Sequence, residues 1–98
     1  QAAKNQTNIT AAEWNDLQAM IDQTYGMFTK RLYALFPQIS EQELRICLLL
    51  KISISATGIA NLTLRSKQAV TSSRKKLYEK THGQQGGPEK WDQFIQAF

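Results

Sequence analysis

The 98-residue sequence has little of what would tie it to covalent, metal or membrane chemistry. Cys47 is its only cysteine, so neither a disulfide nor a cysteine metal pair can form within the chain. It sits inside Ile46-Cys47-Leu48-Leu49-Leu50 with no neighbouring cation or helix start to lower its pKa, and reads as core packing. The same stretch is the longest apolar run, and Lys51 ends it far short of the roughly 20 residues that span a bilayer. No secretory signal is visible, and with the lone cysteine this predicts a reducing, cytoplasmic setting. His82 is the sole histidine and is expected in a flexible Gly/Gln loop, His82 to Gly87, without a metal partner. Gly83 to Gly87 lacks the spaced Gly-Lys-Ser/Thr of a phosphate-binding loop. Glu41 and Glu43 read as capping and core-facing groups rather than as an acid/base pair. No catalytic residue, cofactor or metal is expected.

What is present is a set of clear helix signals in a chain of single-domain length. Thr10-Ala11-Ala12-Glu13 and Ser40-Glu41-Gln42-Glu43 both match the capping box, and each is bracketed by a hydrophobic staple, Ile9 with Trp14 and Ile39 with Leu44. From Thr10, Trp14, Leu17, Ile21 and Tyr25 recur at helical spacing up to Gly26. A second amphipathic piece runs through Phe28, Leu32, Leu35 and Phe36 and is ended by Pro37. The third helix, Glu41 to about Lys51, is apolar nearly all round and is expected to be central. Lys51 to Ser55 alternates with period two, yet a strand is rejected because no partner strand exists for its backbone groups. Pro88 suits a first helical position, and Trp91, Phe94, Ile95 and Phe98 follow as a wide apolar stripe. That stripe either closes the core or makes a dimer or partner contact.

The excess positive charge is confined to one place. Between Ser55 and Lys80, Arg65, Lys67, Arg74, Lys75, Lys76 and Lys80 face only Glu79. The whole chain carries +4, so everything outside this segment sums to about −1. Ser55 and Ser66 are helix caps, and Thr63-Leu64-Arg65 is the turn between a two-turn helix and a longer one reaching about Thr81. On a helical wheel Val70 and Leu77 define the core side, while Gln68, Thr71, Ser72, Lys75 and Glu79 point away from it. Gln, Thr, Ser and Lys supply the donors and acceptors that read base edges in a major groove. Arg65, Lys67, Lys76, Tyr78 and Lys80 are expected at phosphates, with Ser55 and Thr57 at the start of the preceding helix. Arg74 falls near Val70 on the wheel and is expected to reach Glu43 as a partly buried structural ion pair.

The stretch ISEQELRICLLLKISISATGIANLTLRSKQAVTSSRKKLYEKTHG, from Ile39 to Gly83, resembles the LuxR-type helix-turn-helix effector domain found at the C-terminus of many bacterial transcription regulators. The family's helix start falls on Ser40 and Glu43 and its apolar helix on Ile46 to Leu50. Its Ser and Ile-Ala fall on Ser55, Ile59 and Ala60, and its second Ser and Val on Ser66 and Val70. The resemblance implies DNA contacts at Thr71, Ser72 and Lys75 and a dimer contact in the last helix. The segment before Ile39, with Trp14 and Phe36-Pro37, looks like the helical lead-in of such domains in Bacteroidetes regulators, which often follow a sensor or repeat region. The chain departs from the family at Ser53 and Leu64, where glycine is usual, at Gly58, where glutamate is usual, and at Thr63, where leucine is usual.

The reading is an all-α small bundle containing a helix-turn-helix: 1–8 a linker end of a longer protein, 9–37 a helical extension, 38–98 the helix-turn-helix domain with a C-terminal helix. Its partner would be double-stranded DNA, bound by a homodimer across half-sites about one helical turn apart, with no membrane contact. Two alternatives share the pattern: a promoter-reading region of a sigma factor, and a degenerate helix-turn-helix that binds other proteins through Trp91, Phe94 and Phe98.

Overall fold

In the computed structural model, which describes residues 9–98, all regular structure is helical. The described elements run α1 (Ala11–Thr24), α2 (Phe28–Leu35), α3 (Glu41–Lys51), α4 (Ala56–Thr63), α5 (Lys67–His82) and α6 (Pro88–Ala97). The expected linker end, 1–8, lies outside the described residues. Among them no helix is long and apolar enough to cross a membrane.

Local chemistry sets where the helices begin. The Thr10 hydroxyl accepts the Glu13 N–H while the Glu13 carboxylate accepts the Thr10 N–H, and Ser40 and Glu43 repeat the arrangement at α3. Ser55 and Ser66 each accept one backbone N–H, from Gly58 and Ala69. At α2 no side chain caps from the adjoining residue, and Asp22 of α1 does it from a distance, accepting the Thr29 N–H at 2.6 Å.

Three of the helix ends, those of α1, α3 and α4, share one device. The N–H of Met27 reaches back to Asp22 O, that of Ile54 to Leu49 O, and that of Arg65 to Ala60 O, each over a left-handed residue: Gly26, Ser53 and Leu64. These are Schellman turns, and only one of the three has the glycine that carries no Cβ penalty. The alternating segment after Lys51 is explained by the same turn. Ser53 swings outward while Ile52 and Ile54 pack half-buried against the core.

A single core takes side chains from all six helices, with α3 at its centre: Leu44, Ile46, Cys47, Leu48, Leu49 and Leu50 are all buried. Ile21, Phe28, Leu32, Ile59, Val70, Leu77, Trp91 and Ile95 are wholly enclosed around it. Trp91 and Ile95 are therefore core residues and are not available to a partner. The final stripe closes the bundle, with only Phe94 and Phe98 of the four partly exposed.

Three polar side chains fasten α6. Buried Lys51, at the end of α3, donates from Nζ to the carbonyls of Ile95 and Gln96 at 3.3 and 3.0 Å, so a cation meets the negative end of the α6 dipole. Arg31 of α2 donates to the Phe98 carbonyl and also to Tyr25 O and Gly26 O, tying the α1–α2 corner to the same helix end. Farther up, Arg74 grips Asp92 through both carboxylate oxygens, Nε to Oδ1 at 2.9 Å.

This corrects the expected Arg74–Glu43 pair. Glu43 is held at the start of α3 by its capping role, and its second oxygen meets Lys80 at 3.5 Å. Arg74 instead turns to α6, the helix that packs most extensively on α5. Removing one partner of a buried pair strands the other charge, so Asp92→Ala is expected to destabilise the domain by about 3 kcal/mol in urea unfolding. Glu43→Ala, which removes half a capping box and a surface pair, is expected to lose about 1 kcal/mol. The reverse order would restore Glu43 as the partner. Burial pushes the Lys51 ammonium below its ordinary 10.5, and the Arg31 charge acts in the same direction. The unfolded chain then holds that proton to higher pH than the folded chain, so stability rises with pH between the lowered pKa and 10.5. Over that window wild type is expected to gain stability relative to Lys51→Met, and a constant difference would count against the buried charge.

Candidate nucleic-acid interface

α4 and α5 meet through Leu64, Arg65 and Ser66, and the turn is held by its own backbone. Leu64 and Arg65 N–H groups close on Asn61 O and Ala60 O, and Gln42 of α3 donates to the Thr63 carbonyl at 3.4 Å. The Thr63 hydroxyl donates to Ile59 O at 2.6 Å, so this polar side chain is satisfied inside its own helix. Ser53 and Leu64, the two positions where the resemblance has glycine, both adopt left-handed backbone, φ 65° and 58°. At Gly58 a Cβ would stand 2.8 Å from Ile54 Cγ2, so a larger residue here requires the half-buried Ile54 side chain to shift.

α5 divides into two faces. Val70, Arg74, Leu77 and Tyr78 are buried, whereas Lys67, Gln68, Ser72, Lys75, Lys76, Glu79 and Lys80 are exposed, with Thr71 between the two classes. Gln68, Ser72, Lys75 and Glu79 lie at i, i+4, i+7 and i+11 and form one outward stripe. Arg65 is exposed on the turn just before it. Ser55 and Thr57 are exposed at the start of α4, the Ser55 hydroxyl being engaged by the Gly58 N–H.

Two expected phosphate contacts need revision. Tyr78 does not flank the outer face: its ring is buried, stacked on His82 with centroids 4.2 Å apart and covered by Gly86, where an added Cβ would come within 2.6 Å of it. Lys80 is half-exposed but is directed across the bundle, to Glu43 and over the Phe36 ring. His82 is not a loop residue but the last residue of α5, packed between Tyr78 and Phe94.

Charge is unevenly satisfied across the described residues. Arg45, Arg74 and Lys80 each have a carboxylate partner, and Arg31 and Lys51 have carbonyls. The other six have no carboxylate within ion-pair distance: Lys30 and Lys90 stand singly on α2 and α6, whereas Arg65, Lys67, Lys75 and Lys76 gather on the turn and the exposed side of α5. Burial also pushes the Cys47 thiol far above its ordinary range, which the neighbouring Trp91 indole only partly offsets. Asp92, the partner of Arg74, carried no signal of its own in the sequence, since its role depends on which helix α6 packs against.

Comparison with protein-family models, curated proteins and solved structures finds no match to this chain.

Leu64 is both left-handed and the most exposed of the large apolar side chains, at 66%. Leu64→Gly removes the Cβ strain and forfeits little packing, so a gain of about 0.5–1 kcal/mol is expected in urea unfolding. A loss would mean that the side chain packs more than its exposure implies.

Proposed function

We propose that this chain is a sequence-specific DNA-binding output domain of a bacterial transcription regulator, working in the cytoplasm, with α4 and α5 forming a helix-turn-helix and α5 lying in the major groove. The observation that carries the reading is the clustering of four of the six exposed cations without carboxylate partners among the described residues, Arg65, Lys67, Lys75 and Lys76, around the hydrogen-bonding side chains of the outward stripe. A helix that leaves its bases uncompensated on one face, while the bases elsewhere are mostly paired or capping, is suited to a polyanion. Gln68, Ser72 and Lys75 would face base edges, with Thr71 at the margin of that face, while Arg65, Lys67 and Lys76 would meet phosphates.

The left-handed turns at Ser53 and Leu64 support the resemblance at the level of backbone, because they accommodate non-glycine residues where the family uses glycine. In this reading the domain performs no chemistry. Its work is to place α5 in a fixed orientation, which the Arg74–Asp92 pair and the buried face of α5 provide from behind. Pairing of two copies through the last helix would be confined to Phe94 and Phe98, because Trp91 and Ile95 are spent in the core.

Titration of the purified domain with short random-sequence duplex across a salt series tests this. Binding is expected to weaken steeply with salt, Lys75→Ala to bind more weakly, and Lys76→Ala to lower the salt slope by about one. Lys80→Ala, whose amine is already committed to Glu43, is expected to lower the slope by less. A folded domain that fails to bind at low salt would sink the reading.

A further inference from the structure

The outward stripe of α5 ends on a residue that does not suit a polyanion. Glu79 is exposed, is the one acid on α5, and has no ion pair among the described residues, although Lys75, Lys76 and Lys80 lie within a turn of it. Along the helix axis Gln68 to Lys75 spans about 10.5 Å, comparable to a major groove about 12 Å wide. Glu79 lies about 6 Å beyond Lys75, at the level where the chain leaves α5. There the Gly83–Gly87 loop folds back beside the helix, and two shallow grooves form between them, one lined by Glu79, Gly83, Gln84 and Gln85, the other by Lys75, Glu79, Gln85, Gly86 and Gly87. Gly86 lies directly against the Tyr78 ring, so the loop adds bulk beside this turn of α5.

Taken with the proposed DNA reading, on which it rests, this placement has a consequence for how deep α5 can sit. In that reading the N-terminal half of α5 meets the base edges, so Glu79, in the last turn of α5 and beside the glycine loop, comes opposite the phosphate rim. We infer that Glu79 is the electrostatic stop of the α5 surface: its carboxylate faces the phosphate rim, ends the DNA-contacting stretch at Lys75 and Lys76, and holds down the affinity for duplex DNA. A carboxylate at that position opposes sliding of α5 along its own axis, and so helps set which residues meet the bases. Glu79 is in this sense a positioning residue.

The test is Glu79→Gln, an isosteric change, in the same salt-series titration against random-sequence duplex, with wild type and Lys75→Ala alongside and thermal unfolding of all three. Removing one negative charge from the rim is expected to tighten binding about fivefold at low salt, to steepen the salt slope by about one, and to leave the melting temperature in place. Unchanged affinity in Glu79→Gln, with Lys75→Ala still weakened, would overturn the stop and leave the DNA reading standing. Weaker binding would also overturn it, and would make Glu79 an acceptor for a base amino group such as that of cytosine. Absence of binding by all three folded proteins would remove both.

Discussion

A guanidinium lying under α5 has to be neutralised, and the rest of the arrangement follows from how that is done. Arg74 is buried between α5 and α6, and Asp92 meets it with both carboxylate oxygens. An unpaired charge at this depth would be worth several kcal/mol against folding, so α6 cannot leave or rotate without exposing or stranding Arg74. With α6 seated, Trp91 and Ile95 enter the core, His82 and Tyr78 stack beneath it, and the glycine loop is drawn back along α5. The outer stripe of α5 is what remains after those contacts are made.

The opposite end of α6 shows the same economy with a different chemistry. Lys51 and Arg31 have no carboxylate and instead take backbone carbonyls at the end of α6 and at the α1–α2 corner. Lys51 also lies over the rings of Tyr25 and Phe28, at 4.8 and 5.6 Å, where the ring quadrupole stabilises a cation that has lost its water. The N-terminal segment is thus bound into the core through Phe28 and Leu32 and into the last helix through Arg31, and all six described helices form one packed unit. On the far side of α3, Arg45 bridges Glu41 and the Trp14 ring in a similar way.

These commitments bear directly on where a polyanion could act. Five of the cations among the described residues are occupied in structure, by carboxylates or carbonyls, and of the six uncommitted ones four gather on the turn and the exposed side of α5, with Lys30 and Lys90 standing singly on α2 and α6. Charge that is formally present in a sequence is therefore a poor guide until its partners are known. Lys80 illustrates the point, since it belongs to the basic run yet points to Glu43.

Much of the fold was legible from local signals. The capping boxes at Thr10 and Ser40, the caps at Ser55 and Ser66, Pro37 and Pro88 and the apolar periods placed six helices close to their observed limits, because each signal acts within a few residues. The outward direction of Gln68, Ser72 and Lys75 also followed from the wheel alone, as period and core side are properties of one helix. The partner of Arg74, the burial of Tyr78, the diversion of Lys80 and the commitment of Trp91 and Ile95 to the core did not. Each depends on which residues of another helix come opposite, and that is decided by packing of whole faces over separations that no local pattern records. Sequence alone determined the elements and their faces, and tertiary structure decided which charges those faces keep free, because neutralising a buried ion requires a neighbour that only the assembled bundle supplies.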